Sequence, residues 1–97
     1  MIFDWHDEKS EACRRRRGFG FDYAARIFSG DIWIRIDGRR DYGEVRLQAL
    51  GEIDGFPYVV VFTERRNASG EIVYWIISAR RAYEKECRQW RNALSRN

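Results

Sequence analysis

The chain has 97 residues, 44% of them apolar and 15% aromatic, and its 18 basic and 15 acidic side chains leave a net charge of +3. This is enough for one ring-rich core, so a single domain over residues 1–97 is expected and a disordered chain is not. No apolar run approaches the roughly 18 residues of a membrane span, Met1 to Trp5 lacks the features of a signal peptide, and Cys13 and Cys87 form no CxxC pair, so the expected setting is a reducing cytoplasm with no disulfide scaffold, metal site or cofactor.

In chain order, Met1 to Trp5 alternates weakly and predicts a short strand. Asp7 to Arg17 has no Gly or Pro, starts with acids, ends with arginines and is followed by Gly18, which suits a surface helix and its dipole. Phe21, Ala24, Ala25 and Phe28 form the stripe of a second helix, with Gly30 as its C-terminal cap. Ile32 to Ile36 alternates as a strand, Asp37 to Tyr42 is a polar loop, and Val45, Leu47 and Ala49 mark the next strand. Gly51 to Gly55 holds an Asp-Gly turn, Tyr58 to Glu64 is a central strand, Asn67 to Gly70 turns, and Ile72 to Ser78 is a last strand. Tyr83, Cys87, Trp90 and Leu94 fall at i, i+4, i+7 and i+11, the buried stripe of a closing helix. Short connections imply an α+β domain: two helices, a four-stranded antiparallel meander with a possible extra N-terminal strand, and a C-terminal helix, with the helices on one face.

Charge is distributed unevenly. Residues 1–13 carry −3, the block Arg14-Arg15-Arg16-Arg17 carries +4, residues 18–79 carry −2 and residues 80–97 carry +4. Sixteen of the 18 basic residues are Arg, whose planar fork of donors suits phosphate and carboxylate oxygens; a GC-rich genome would favour the same ratio.

Several elements, in order, resemble the BrnT family of type II toxins, small ribonucleases with a RelE/ParE-like fold. They are Trp5 and Lys9, Arg16-Arg17-Gly18, Gly20-Phe21-Asp22 with Ala25 and Phe28, Gly43-Glu44-Val45-Arg46, Thr63-Glu64-Arg65, Ile77-Ser78-Ala79-Arg80-Arg81-Ala82, and Glu86 with Trp90. The sequence departs from the family pattern where Arg16 and Arg17 replace a Lys-His pair, and where His6 replaces an Asp after Trp5. The resemblance implies an endoribonuclease that cleaves RNA and stops translation and growth. It also implies a cognate BrnA-like antitoxin, a toxin–antitoxin heterotetramer, and operator DNA contacted only through the antitoxin.

Such an enzyme must deprotonate a 2′-hydroxyl, stabilise charge on the phosphoryl oxygens and protonate the leaving 5′-oxygen. Arginine suits the second task. Arg17, Arg65, Arg80 and Arg81 are the candidate catalytic residues, with Arg65 and Arg80 or Arg81 expected to meet as a phosphate clamp. The alternative is that Arg80 is a fixed ion-pair partner of Glu64 and Glu84. Arg14, Arg15, Arg16, Arg17 and Arg46 are the candidate RNA-binding residues, with affinity expected to fall as salt rises. Arg17 is a poor acid or base because arginine stays protonated; His6, Glu44, Glu64, Tyr42 and Tyr83 are the other candidates for proton transfer. Trp33, Trp75 and Trp90 suit the core, Trp5 suits either setting, and Phe19 and Tyr42 are expected to be exposed. Cys13 would approach Cys87 only if the first and last helices pack together. Two other readings stay open: a weak or inactive RNA- or antitoxin-binding module, and an interaction domain whose arginines pair with its own acids.

Overall fold

A computed structural model describes residues 1–39 and 41–95; residue 40 of the predicted polar loop and residues 96–97 of the basic tail lie outside the described residues. The observed order is β1 (Ile2–Trp5), α1 (Asp7–Arg17), α2 (Phe21–Ala24) running into a 3-10 segment (Ala25–Ser29), β2 (Trp33–Ile36), β3 (Leu47–Ile53), β4 (Phe56–Arg66), β5 (Ile72–Arg81) and α3 (Glu84–Leu94). The architecture is α+β. Strands β2 to β5 form the antiparallel meander, and the N-terminal strand is real: β1 pairs parallel with β5, giving one five-stranded sheet in the order β1-β5-β4-β3-β2. The Asp-Gly turn closes a tight hairpin. Ile53 pairs with Phe56, and Asp54 and Gly55 both take left-handed backbone, at φ 51° and 82°, as a type I′ turn requires.

The helices do not share one face of the sheet. Cys13 of α1, Phe21 and Ala24 of α2, and Ile27 pack with Ala49, Tyr58, Val60, Phe62, Ile76 and Ala79. Leu50 and Val59 point the other way and pack with Trp90 of α3. The run Tyr58 to Thr63 is buried at every position, and a strand apolar on both sides needs cover on both. Cys13 and Cys87 are therefore carried by helices on opposite faces, and both are free.

Three local expectations change. Tyr83 is exposed, and its extended backbone makes it the residue before α3 rather than part of the buried stripe. Phe19 is buried, edge-on to Tyr58 with ring centroids 5.1 Å apart. Gly30 follows the 3-10 segment with extended backbone, so it ends the segment without a left-handed cap.

One irregularity sets the directions of the β5 side chains. Val61 pairs with Ser78 and Phe62 with Ile76, which leaves Ile77 as the extra residue of a β-bulge. A bulge shifts the alternation of side chains by one. Ile76 and Ala79 consequently share the face covered by α1, and Arg81 follows Ala79 onto that face. Arg80 turns to the face covered by α3.

Candidate active site

The site forms where α1 ends and β5 ends. Helix α1 stops because Gly18 takes left-handed backbone, φ 87°, and donates its N–H to the Arg14 carbonyl at 2.9 Å. The chain then turns back tightly. The Phe21 N–H donates to the buried Ser10 hydroxyl at 2.9 Å, tying α2 to α1. A Cβ on Gly20 would lie 2.8 Å from Asp22 Oδ1, 2.9 Å from Arg14 Nη2 and 3.0 Å from Ser10 Oγ, so any larger residue there would displace the Asp22 and Arg14 side chains from the turn.

This turn walls a pocket of about 430 Å³ lined by Arg14, Arg17, Asp22, Tyr23, Tyr58 and Arg81. Arg14 pairs with Glu11 at 3.3 Å and Asp22 at 3.7 Å. Among the described residues, Arg17 and Arg81 have no carboxylate at ion-pair distance. The Arg81 guanidinium is held by rings instead, 4.6 Å from the centroid of Phe56 and 5.4 Å from that of Tyr58. Burial, with the neighbouring Tyr23 hydroxyl, pushes the Tyr58 pKa above the ordinary tyrosine value. The Tyr58 hydroxyl thus stays protonated and can donate a hydrogen bond, though as an acid it is weaker than an ordinary tyrosine.

Arg80 has a different environment. Its Nη1 and Nη2 bond the two carboxylate oxygens of Glu86 at 2.7 and 2.9 Å, and its guanidinium lies 4.4 Å from the Tyr83 ring centroid. Glu86 also accepts from Arg35 Nη2 at 2.6 Å and from the Tyr83 backbone N–H at 2.9 Å. These donors, the Arg80 guanidinium first, hold the Glu86 carboxyl at about 2. The fixed partner of Arg80 is thus Glu86, not Glu64 or Glu84; Glu84 takes Arg88 at 3.2 Å.

Arg65 is far from both. It sits opposite Val73, near the start of β5, whereas Arg80 and Arg81 sit opposite Val59 and Tyr58. Six strand positions separate the two ends, roughly 20 Å at strand rise. The expected clamp of Arg65 with Arg80 or Arg81 does not form, because antiparallel pairing carries β4 and β5 in opposite directions. Arg65 instead lies 4.6 Å from the Trp75 ring centroid and 3.7 Å from Glu44.

Arg46 lies 3.8 Å from the Tyr42 ring centroid and 3.8 Å from Glu44. Arg15 is exposed, and Arg16 lines a second, smaller cavity with Lys9 beside Arg17. His6 precedes α1, about 16 Å of helix away from Arg17. Glu64 is exposed toward the hairpin end of β4. Tyr42 and Tyr83 lie beneath Arg46 and Arg80. None of these five proton-transfer candidates lines the Arg17–Arg81 pocket.

A family model described as the ribonuclease toxin BrnT of type II toxin–antitoxin systems matches residues 5–86. The chain belongs to the BrnT toxin family. No curated protein matches it. The BrnT match spans α1, the whole sheet from Trp5 onward and the opening of α3, so both Arg17 and Arg81 fall inside it. A type II system implies an antitoxin partner for a BrnT toxin. Three residues of the pocket escape sequence reasoning. Asp22 reads only as part of a short family-like run. Tyr58 opens an apolar run and reads as core. Tyr23 sits inside a helical stripe beside Phe21 and Ala24. Only the return of β4 beneath α2 brings their hydroxyl ends to Arg81.

Proposed function

We propose that this chain is a metal-independent endoribonuclease toxin whose scissile phosphate sits between Arg17 and Arg81. The observation that carries the reading is that these two arginines, from the ends of α1 and β5, line one pocket without a carboxylate partner among the described residues. An unneutralised guanidinium pair beside rings is an anion seat. Arg80 and Arg65 are already engaged by Glu86 and Glu44, so their roles in this reading are structural.

In the proposed reaction the guanidinium groups of Arg17 and Arg81 bind the non-bridging oxygens and offset the charge that builds on them. Asp22, the carboxylate lining the pocket and oriented by Arg14, takes the proton from the 2′-hydroxyl. The 2′-oxygen bonds to phosphorus as the bond to the 5′-oxygen breaks, and Tyr58 gives its proton to that leaving oxygen. The products are a 2′,3′-cyclic phosphate and a 5′-hydroxyl, and solvent returns the proton from Asp22 to Tyr58.

The wider reading follows the resemblance: a RelE/ParE-like fold, arrest of translation in the cytoplasm, and neutralisation by a BrnA-like antitoxin in a heterotetramer, with operator DNA reached through the antitoxin. An acidic antitoxin segment over Arg17 and Arg81 would silence the site. Among the described residues, no helix is long and apolar enough to cross a membrane. A second reading, RNA or antitoxin binding without cleavage, is favoured by one observation. Arg17 stands where the resemblance places a histidine, and a guanidinium does not exchange its proton at ordinary pH.

The test is cleavage of a structured RNA by purified protein in EDTA. Wild type is expected to cut, and Arg17→Ala and Arg81→Ala each to slow cleavage by about 100-fold, the scale of one lost oxyanion donor. Arg65→Ala is expected to stay within a few-fold of wild type. Unchanged cleavage by folded Arg81→Ala would sink the assignment. Intact RNA with wild type, followed by cleavage with Arg17→His, would establish the second reading.

A further inference from the structure

Arg17 borders two cavities. The smaller, about 260 Å³, lies on the other side of its side chain, between α1 and β5. One wall is Lys9, Ala12, Cys13 and Arg16, which recur at helical spacing and so share the face of α1 that leads to Arg17. Phe21 lies beneath, and Ile77, Ser78 and Ala79, the bulged stretch of β5, form the opposite wall.

That opposite wall is open because β1 is short. β1 pairs with β5 only from Ile2↔Val73 to Trp5↔Ile76, and β5 has no other neighbour on that side of the sheet. From Ile77 onward, therefore, no strand among the described residues covers the outer backbone edge of β5. The Ala79 carbonyl there already accepts the Cys13 thiol at 3.5 Å. The groove thus combines apolar walls, an uncovered strand edge and a cationic rim of Lys9, Arg16 and Arg17. Among the described residues none of these three cations has a carboxylate partner.

This combination matches a nucleobase. A base offers two apolar faces for packing and for guanidinium stacking, and a polar edge for backbone hydrogen bonds. The volume is below the roughly 300–1,000 Å³ of pockets for drug-sized ligands, which suits one base. We propose that this groove is a base-binding subsite: a nucleotide whose phosphate lies between Arg17 and Arg81 lays its base between Ala12 and Ile77. The inference rests on the reading of Arg17 and Arg81 as the phosphate seat, and it locates base preference in the groove on the other side of Arg17.

The experiment is a titration of isotope-labelled protein, followed by amide NMR shifts, with inorganic phosphate and with each of the four 3′-nucleoside monophosphates. Inorganic phosphate is expected to shift the amides of Arg17, Gly18 and Gly20. The nucleotides are expected also to shift Ala12, Cys13 and Ile77, and the preferred base to bind at least about fivefold tighter than phosphate, the low end of base stacking. Ala12→Phe fills the groove from the half-buried wall that α1 gives it. It is expected to abolish the nucleotide's advantage and leave phosphate binding within about twofold. Nucleotides binding no tighter than phosphate, or keeping their advantage in Ala12→Phe, would overturn the subsite and leave the phosphate seat standing. If neither ligand moves the Arg17 region, the phosphate seat fails, and the subsite with it.

Discussion

Arg80 and Arg81 are adjacent in the chain and do unrelated work. Arg80 is largely covered, and both its terminal nitrogens are spent on a carboxylate that is 9% exposed. Removing one partner of such a pair strands the other in a poorly hydrated site. Because Arg35 stays on Glu86, Arg80→Ala is expected to cost about 2 kcal/mol, below the roughly 3–5 kcal/mol of a fully buried pair that loses its sole partner. Urea denaturation measures this, with cleavage per folded molecule staying near wild type. Arg81→Ala should do the reverse, with an unfolding midpoint close to wild type and most of the activity gone, because among the described residues its guanidinium holds ring contacts and no carboxylate, and it faces an open pocket. If both variants lose stability equally and neither loses specific activity, the division of labour between them is wrong.

At the scale of elements, α3 is held to the sheet by a charge network as well as by Trp90. The Glu86 carboxyl titrates at about 2 in the fold, against 4.5 for an unperturbed glutamate. A depressed carboxylate contributes stability that is present above about 4.5 and disappears as pH falls toward 2. The contribution is on the order of 3 kcal/mol. Asp37, lowered first by its bond to the Arg39 side chain, adds in the same direction. Thermal melts of wild type and Glu86→Gln should therefore differ most near neutral pH and converge below about pH 3; a constant gap would rule out ionisation as the cause. On the opposite face, β3 meets the 3-10 segment closely. A Cβ on Gly51 would lie 3.0 Å from both Ile27 Cβ and Ile32 Cγ2. Gly51→Ala is expected to destabilise by about 1–3 kcal/mol through overpacking, lowering the melting temperature by at least about 4 °C.

For the whole molecule, the sheet separates charge by use. Arg35 and Arg80 are paired over the α3 face and Arg65 near the β4–β5 hairpin, whereas where α1 and β5 end Arg15, Arg16, Arg17 and Arg81 have no carboxylate partner among the described residues, although Arg14 beside them does. RNA affinity should accordingly fall with salt, with a logarithmic slope of about −0.7 for each phosphate engaged on a single strand. Arg16→Gln is expected to flatten that slope by about 0.7, and Arg80→Gln to leave it unchanged. Filter binding across a salt series measures both, and an affinity indifferent to salt would exclude a phosphate-led interface.

Much of this was legible in the residues alone. The limits of α1 followed from Gly18 and the acid-to-arginine gradient, which are local effects of backbone geometry and helix dipole. Turn chemistry at Asp54-Gly55 placed the β3–β4 hairpin, and the family resemblance rested on short runs in order. What the sequence did not contain was direction. Periodicity cannot tell which side of a doubly apolar strand a given helix will cover, so the expectation of all helices on one face fails at α3. Nor can it reveal one extra residue at Ile77, which decides which of Arg80 and Arg81 takes which face of the sheet. Strand pairing, a long-range property, parted Arg65 from Arg80 and Arg81 and brought Tyr23, Tyr58 and Arg81 to Arg17. The chemistry available to the chain is set by its residue types, which are local. Which arginines remain unpaired depends on the carboxylates that the fold sets beside them, and that is decided only in three dimensions.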